Sequence, residues 1–392
     1  MKKIKVIMIA HCSHSYFLGE GEKDLNKLFL NDWYVKTAKQ LNKFYPEIEV
    51  ECWAPEKLKK EAEETILEGI KFKFFPVNFS PIYAMDLSIP MLKELKEEVR
   101  KSKKENYELI IHVHEIHNLH GLLIATLFKN QKIIVQHHGG SWPLKHVKQT
   151  KRYKFFFPLF FLAQLWENLV LSNVNCFYAL SEDEINYLKR VAPSSNVRFQ
   201  TMGIDDEYFK KTDKKTARKK LKLPLDKKIL IYIGRINDVK VGFLLEAMNE
   251  LKEEGILLKI IGFGPQEEKF KKYASENKLK NVEFLGGVFG EKKLLYLSSA
   301  DAFVLPSSKE GAPVTVMEAL ARNLPVVVTS VGGTPLMVKN KREGILIPPK
   351  NKEELVKAIR NVLSWREKDI KKYAEIYKWK KIIDDTVKDY EE

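Results

Sequence analysis

The stretch "ADAFVLPSSKEGAPVTVMEALARNLPVVV", residues 300–328, decides the fold. Its two continuous apolar runs, Ala302 to Leu305 and Val326 to Val328, predict buried β-strands. Pro313 lies between them, where its fixed φ and missing N–H suit the first residue of a helix. Because parallel strands need a crossover connection of this kind, the stretch predicts one strand–helix–strand unit of a parallel sheet.

The same alternation continues in both directions along the chain. Continuous apolar strands, each followed by a helix, are typical of parallel sheets covered on both faces. A charged, lysine-rich stretch from Asp206 to Lys228 separates two such series. We therefore predict an α/β protein with two tandem doubly wound, Rossmann-like domains, at residues 1–205 and 206–370. We expect the C-terminal segment, 371–392, to form a helix that packs back on the first domain.

The strands predicted outside the opening stretch are Lys3 to Ala10, Ile48 to Ala54, Ile70 to Phe75, Leu109 to Val113, Ile133 to Gln136, Cys176 to Ala179, Ile229 to Ile233, Leu257 to Ile261 and Val282 to Leu285. Capping residues indicate two helix starts. Ser88 precedes a helix with Pro90 just inside it, and Ser181 with Glu184 three residues later has the spacing of a capping box.

Composition indicates a soluble globular chain. The 392 residues are 44% hydrophobic and 30% charged, which excludes a disordered protein. Cys12, Cys52 and Cys176 lie far apart and predict buried thiols in a reducing compartment, not a disulfide framework. The start "MKKIKVIMIAHCSH" predicts a first strand and not a signal peptide, because Lys5 interrupts its apolar run. We expect a cytoplasmic protein.

The formal net charge of +15 predicts a surface that attracts polyanions, or else the lysine- and glutamate-rich surface typical of thermophiles. In Lys145 to Trp166 four lysines and an arginine precede an aromatic and aliphatic run. This pairing suits an anionic membrane surface, so the protein would lie peripherally at the inner face of a membrane. Packing of the same phenylalanines into the core of the first domain is the alternative. The apolar run is shorter than the ~20 residues of a membrane-spanning helix.

Candidate site residues follow the predicted strands of the second domain, because ligands bind beyond the carboxyl ends of parallel strands. Gly234, Arg235 and Lys240 follow the first strand, and Gly262 and Gly264 follow the second. Glycine allows a ligand close to the backbone, while Arg and Lys donate hydrogen bonds to phosphate oxygens. These loops therefore predict an anion site.

Glu310 and Glu318 stand on either side of the turn that opens the helix in the quoted stretch. A buried carboxylate is costly unless it is hydrogen-bonded, so each glutamate needs water or a partner. Hydroxyl groups of a sugar are one set of partners, and the amides from Gly311 to Val314 could bind an anion or sugar oxygens. The paired carboxylates of a glycosidase and simple helix capping are the alternatives.

With the quoted stretch, the motifs "GRINDVK", "IIGFGP", "FLGGV", "TSVGG" and "GILIPPKNKEEL" resemble retaining GT-B glycosyltransferases of glycosyltransferase family 4, the glycosyl transferases group 1. The resemblance covers most of Ile229 to Leu355. It extends more weakly to "HVHE", "QHHGG", "YALSEDE" and "GID" in the first half. It implies two Rossmann-like domains that face each other across a cleft, the N-terminal one for the acceptor and the C-terminal one for a nucleotide sugar.

The resemblance also implies roles for matched residues. Arg235 and Lys240 match the family's basic pair on the donor diphosphate. Glu318 matches the glutamate that binds the ribose, and Glu310 matches the one that binds hydroxyls of the transferred sugar. Val288 lies where the family commonly contacts the base through its main chain.

His138 of "QHHGG" matches the histidine near the reaction centre on the acceptor side, and Gly311 with its neighbouring amides matches the lining of the sugar pocket. The catalytic residues implied by the resemblance are His138, Arg235, Lys240 and Glu310. The donor-binding residues that it implies are Gly234, Arg235, Lys240, Gly262, Val288, Glu310, Gly311, Ala312, Pro313, Val314 and Glu318.

The function predicted is that of a retaining, hexosyltransferase-like glycosyltransferase. It would move a sugar from a nucleotide diphosphate sugar, its co-substrate, to a saccharide, small-molecule or lipid-linked acceptor. We expect no cofactor, no metal and no nucleic-acid partner. The chain has no Asp-x-Asp pair to hold a metal on the diphosphate, and the basic pair can neutralise the leaving group instead.

Two rival functions stay open. The nine histidines all precede residue 150, and His112, His114, His137 and His138 follow two neighbouring predicted strands. They would suit a metal-dependent hydrolase with an HxH pair. His117 and His120 follow the first of these pairs. The net charge alone would suit a polyanion-binding protein without catalysis.

Overall fold

The computed structural model describes residues 2–17, 24–80, 85–139, 157–339, 342–365 and 369–392. They form two compact units. The first comprises residues 1–202 together with 382–392, and the second comprises residues 203–381. Both units are α/β, as the sequence predicts.

The first unit is built on an eight-stranded sheet in the order β3-β4-β2-β1-β5-β6-β7-β8. Every neighbouring pair is parallel except β3 and β4, which are antiparallel. The strands are β1 Ile4–Ile9, β2 Glu49–Glu56, β3 Glu63–Leu67, β4 Ile70–Pro76, β5 Glu108–His114, β6 Lys132–Gln136, β7 Cys176–Ala179 and β8 Asn196–Phe199. The helices are α1 Leu25–Asn31, α2 Trp33–Phe44, α3 Ile89–Glu105, α4 Leu119–Leu127, α5 Phe157–Val170 and α6 Glu182–Val191.

The second unit is built on a six-stranded parallel sheet in the order β11-β10-β9-β12-β13-β14. The strands are β9 Lys228–Ile233, β10 Ile256–Ile261, β11 Val282–Phe284, β12 Ala302–Leu305, β13 Val326–Thr329 and β14 Gly344–Ile347. The helices are α7 Lys214–Lys220, α8 Gly242–Glu250, α9 Glu267–Glu276, α10 Gly290–Ser299, α11 Val314–Ala321, α12 Thr334–Met337, α13 Lys352–Leu363 and α14 Trp379–Glu391, which runs into the first unit.

The strand order reverses direction once in each sheet. In the second unit the chain moves outward from β9 to β11 and then returns to the other side of β9 with β12. In the first unit the same reversal places β5 beside β1. Loops that leave the carboxyl ends of strands at such a reversal diverge and leave a crevice, which is where ligands bind to open α/β sheets. We therefore expect ligands to bind at the loops after β9 and β12 in the second unit, and after β5 and β6 in the first.

The central strand of the first unit carries a buried charge. Lys5 is 4% exposed, and its ammonium group lies 2.7 Å from Glu98 and 3.0 Å from Glu51. The pKa of Lys5 is raised because these carboxylates outweigh the opposing effect of burial. The lysine that interrupts the first apolar run is thus accommodated inside a strand, as the sequence predicts.

The C-terminal helix is fixed to the first unit by polar contacts. The Tyr178 hydroxyl donates to Asp389 at 2.6 Å, and Asp389 also pairs with Arg198 at 2.5 Å. The Tyr390 hydroxyl lies 2.8 Å from Nδ1 of His112. These contacts cover the far end of the sheet at β7 and β8.

Local signals in the sequence account for part of the helix starts. Ser88 caps α3 by accepting a hydrogen bond from the Met91 amide. Pro313 is the N-cap of α11 and not its first helical residue, so that prediction was wrong by one position. Ser181 caps α6, but Glu184 accepts from the Leu180 amide instead of completing the capping box at Ser181.

Most of the segment Lys145 to Trp166, for which the sequence suggests a membrane surface, lies outside the described residues. Its described end belongs to α5, where Leu162 and Leu165 are 61% and 44% exposed. Within the described part of the chain, no helix combines the length and apolarity needed to cross a membrane.

Gly203, where the second unit begins, leaves no room for an additional methyl group. A Cβ there would lie 2.5 Å from the ring of Trp379 and 2.7 Å from its Cα. We predict that Gly203→Ala lowers the free energy of unfolding by roughly 1–3 kcal/mol, because both contacts are too close for a core to accept without movement. Denaturant titration measures the change.

Gly242→Ala is the matched control, since the nearest atom to a Cβ at Gly242 is 3.9 Å away and alanine favours a helix. Equal stability of the two variants would contradict the claim that Gly203 has no room for a side chain.

Candidate functional site

Three loops at the carboxyl edge of the second sheet are joined by their main chains. The Gly234 amide donates to the Ile261 carbonyl at 3.0 Å, and the Ile236 amide donates to the Phe263 carbonyl at 3.0 Å. The Gly262 amide donates to the Gly286 carbonyl at 2.8 Å. The loops after β9, β10 and β11 therefore form one hydrogen-bonded layer.

Glycine is required where these loops touch. A Cβ on Gly262 would lie 1.9 Å from the Gly234 carbonyl oxygen, and the φ of Gly262 is +139°, a conformation that other residues rarely adopt. A Cβ on Gly264 would lie 2.0 Å from the Ile236 carbonyl oxygen. The glycines of "GFG" thus permit loop-to-loop contact, whereas the sequence interpretation assigned them to the close approach of a ligand.

Lys240 and Glu310 form an ion pair at this edge. The Lys240 ammonium lies 2.7 Å from Oε1 of Glu310, whose side chain is 9% exposed. The hydroxyl of Tyr232, a residue of β9, donates to the Arg235 carbonyl at 2.8 Å. Burial and the negative charge of Glu310 raise the pKa of Tyr232, so the phenol stays protonated. The site therefore holds a paired carboxylate and ammonium.

Glu318 has its own cation. Lys293 of α10 lies 2.8 Å from Oε1 and 2.6 Å from Oε2 of Glu318, which is buried. Burial and the negative charge of Glu318 raise the pKa of Tyr208, and the Lys293 ammonium lies 5.5 Å from the centre of the Tyr208 ring. Lys293 and Tyr208 were not identified from the sequence, because no local pattern pairs them with a glutamate on another element.

The remaining residues predicted for the donor site lie in the same loops. Arg235 is exposed and forms no ion pair with any residue that the structure describes, while Val288 is 8% exposed after β11. The loop before α11 packs against residues 332 and 333, because the Gly333 amide donates to the Gly311 carbonyl at 2.6 Å. Gly234, Ala312, Pro313 and Val314 are half-buried.

His138 follows β6 in the first unit and lies among aromatic rings. Its Nε2 is 2.9 Å from Nδ1 of His114, and its ring centre is 4.6 Å from that of Trp33. Burial and the neighbouring His11 lower the pKa of His138 to about 4. The imidazole is therefore neutral near pH 7.

The four histidines considered for a hydrolase metal site are divided between different partners. His112 is bonded to Tyr390, and His114 is bonded to His138. His137 lies 2.9 Å from Oε1 of Glu184. Among the described residues, only His137 of these four belongs to a group whose donor atoms are placed to hold one metal ion, and its companions there are Glu115 and His117.

A buried charge network surrounds His137. Among the described residues, donor atoms of Glu115, His117 and His137 come within 4.8 Å of one another. Nδ1 of His117 is 2.9 Å from Glu167. Burial opposes the charged imidazolium, but Glu167 and Glu115 raise the pKa of His117 to about 9, and Glu184 raises that of His137. In this network the imidazoles of His117 and His137 are paired with the carboxylates of Glu167 and Glu184.

Residues 213–378 match the family model described as Glycosyl transferases group 1. This match, with two doubly wound parallel-sheet units, defines the fold as that of the GT-B glycosyltransferases. The sucrose-phosphate synthase of Thermosynechococcus elongatus shares it with a TM-score of 0.70 at 19% identity, over 99% of this chain and 98% of that one.

Anabaena HepE in complex with UDP gives a TM-score of 0.67 at 16% identity, over 98% of this chain and 99% of that one. In sequence, this chain is 36% identical over 146 residues to a putative teichuronic acid biosynthesis glycosyltransferase, TuaC of Bacillus subtilis. That match covers 37% of this chain and 36% of the relative, about a third of its length.

The charge network predicts a pH-dependent stability. His117 titrates near 6.5 when unfolded and near 9 when folded, so its contribution is complete below pH 6.5 and is lost as the pH rises through 9. We predict that the free energy of unfolding falls by roughly 1–3 kcal/mol over this window from this residue. Denaturant titrations between pH 6 and pH 9.5 measure the fall.

Glu167→Gln should flatten this pH dependence, because it removes a charge that holds the proton on His117. Glu97→Gln, at an exposed glutamate of α3, is the control and should leave the slope unchanged. A Glu167→Gln slope equal to that of the wild type would show that His117 does not titrate in this way.

Proposed function

We propose that this chain is a retaining glycosyltransferase of family 4, which transfers a hexose-like unit from a nucleotide diphosphate sugar without a metal. The observation that carries the proposal is the Lys240–Glu310 pair, at 2.7 Å, at the carboxyl edge of the sheet in a region that matches the glycosyl transferases group 1 model. The acceptor would be a saccharide, a small molecule or a lipid-linked sugar bound by the N-terminal unit.

Positive charge in the loop after β9 would stabilise the leaving group. Transfer of the sugar breaks its bond to the diphosphate and leaves negative charge on the phosphate oxygens. Lys240 would contact this charge directly, and the exposed Arg235 would donate two parallel hydrogen bonds to phosphate. Since the donor's own phosphate would take the proton of the incoming hydroxyl, the protein would supply positioning and charge stabilisation.

Donor binding would exchange the partners of Lys240. Before binding, the ammonium and Glu310 neutralise each other. The diphosphate carries more charge than one carboxylate and would take the ammonium group, which would leave Glu310 free to accept hydrogen bonds from sugar hydroxyls. Glu318, held by Lys293, would accept from the ribose. Each carboxylate would then have hydroxyl partners that repay its desolvation.

The comparisons support UDP as the first nucleotide to test and a saccharide as the first acceptor. HepE, with the same fold, has been solved with UDP and with UDP-glucose. TuaC is named for the biosynthesis of teichuronic acid. His138, neutral and beside His114, would contact the acceptor side of the reaction.

Release of nucleoside diphosphate tests the proposal. The protein would be incubated with UDP-, GDP- and ADP-sugars, saccharide acceptors and EDTA, and the diphosphate measured by chromatography. We predict release from at least one donor with EDTA present, and a loss of about 10²-fold or more in Lys240→Ala, as for a lost stabilising donor in an active site. Lys272→Ala, at an exposed lysine of α9, is the control. Strict dependence on a divalent metal, or full activity of Lys240→Ala, would contradict the proposal.

Substitutions of the two glutamates should have different effects on the binding of free nucleoside diphosphate, measured by calorimetry. Glu318→Ala should weaken binding by about 1–3 kcal/mol, because the ribose loses an acceptor. Glu310→Ala should bind at least as tightly as the wild type, since Lys240 is released and the ligand carries no sugar. Glu353→Ala, an exposed glutamate of α13, controls for lost negative charge. Equal weakening by both substitutions would show that the assigned division of roles is wrong.

A further inference from the structure

Two phenylalanines project from the hydrogen-bonded layer of loops into solvent. Phe263 follows β10 and is 56% exposed, and Phe289 follows β11 and is 74% exposed. Neither ring contributes to the core of the second unit. Both stand at the edge of the sheet where ligands bind to this fold.

The two rings border one gap above Gly287. The position that a Cβ of Gly287 would take lies 3.4 Å from Cδ1 of Phe263 and 3.0 Å from Cε2 of Phe289. Any side chain at residue 287 would therefore press on both rings and fill the space between them. Gly287 is itself exposed, so the gap opens to solvent.

Hydrogen bonds hold the main chain at both phenylalanines. The Phe263 carbonyl accepts the Ile236 amide at 3.0 Å, and the glycines on either side pack against the loop after β9. Phe289 is the N-cap of α10, and its carbonyl accepts the Lys293 amide at 3.4 Å. Rings that project from fixed backbone can bind a flat ligand with little loss of conformational entropy.

We propose that Phe263 and Phe289 bind the nucleobase of the donor by stacking above Gly287, an inference that rests on the proposed function. Val288, expected to contact the base through its main chain, lies between Gly287 and Phe289 in the sequence. A nucleobase is planar and has a π-face on each side, and stacking on aromatic side chains suits it. Phenyl rings carry no hydrogen-bonding groups, so they supply affinity while main-chain groups distinguish one base from another.

Calorimetry with UDP, GDP, ADP and inorganic pyrophosphate tests the proposal on the full chain. Stacking of a base is worth about 1–3 kcal/mol. Phe263→Ala and Phe289→Ala should therefore each lower the affinity for the nucleotide that the wild type binds, by about 5- to 150-fold. Pyrophosphate, which has no base, should bind all proteins equally. Phe263→Tyr and Phe289→Tyr keep the ring and should retain affinity, whereas the leucine variants keep only apolar character and should lose it.

Phe79→Ala is the matched control, because Phe79 is 50% exposed and lies in the other unit. Two results would contradict the stacking proposal but leave the proposed function standing. In both, the wild type binds a nucleotide, and either the alanine variants or the leucine variants bind it with unchanged affinity. A wild-type protein that binds none of the nucleotides would overturn the proposed function as well. Both side chains are exposed, so these substitutions leave the core of the unit intact.

Discussion

The architecture of the candidate site depends on the contact between the Gly262 backbone and the Gly234 carbonyl. No side chain fits there, since a Cβ would lie 1.9 Å from that oxygen. The contact allows the loops after β9, β10 and β11 to share hydrogen bonds in one layer. Arg235, Phe263 and Val288 all belong to this layer. Their spacing is therefore set by main-chain geometry and not by flexible side chains.

Charge pairing is the second determinant of the site. Glu318 is buried and Glu310 is half-buried, and each lies beside a lysine, at 2.6 Å for Glu318 and 2.7 Å for Glu310. A buried ion pair gains little net free energy, because desolvation of both charges offsets their attraction. If such a pair is separated, each charge needs a new partner. Under the proposed function, the anionic donor supplies the new partner for Lys240, and its hydroxyls supply new partners for the glutamates.

Periodicity and apolar runs were sufficient to predict the fold class and most of the strands. β12 occupies the predicted residues, and β9 and β10 begin one residue earlier than predicted. β3 was missed because its residues are largely exposed, and it pairs antiparallel at the edge of the sheet. β8 and β14 were missed because they are short and lie at the other edges of the two sheets.

The site could be predicted only in part. Residues after strands, such as Lys240, stand out because the fold brings the carboxyl ends of strands together. The partners Lys293 and Glu167 lie on helices far along the chain from the groups that they contact. A single sequence contains no signal for such pairs, because they depend on how elements pack. The same limit applies to the gap that Phe263 and Phe289 share above Gly287.

Thermal unfolding of the wild-type protein in EDTA, with and without UDP, GDP, ADP, their sugars and the corresponding nucleosides, tests the central claim most directly. A ligand that binds only the folded chain raises the melting temperature. The account predicts that one nucleoside diphosphate and its sugar raise the melting temperature without a metal, and that nucleosides lacking the diphosphate do so far less. An unchanged melting temperature with all of these ligands, at concentrations up to several millimolar, would contradict the assignment of a nucleotide-sugar site.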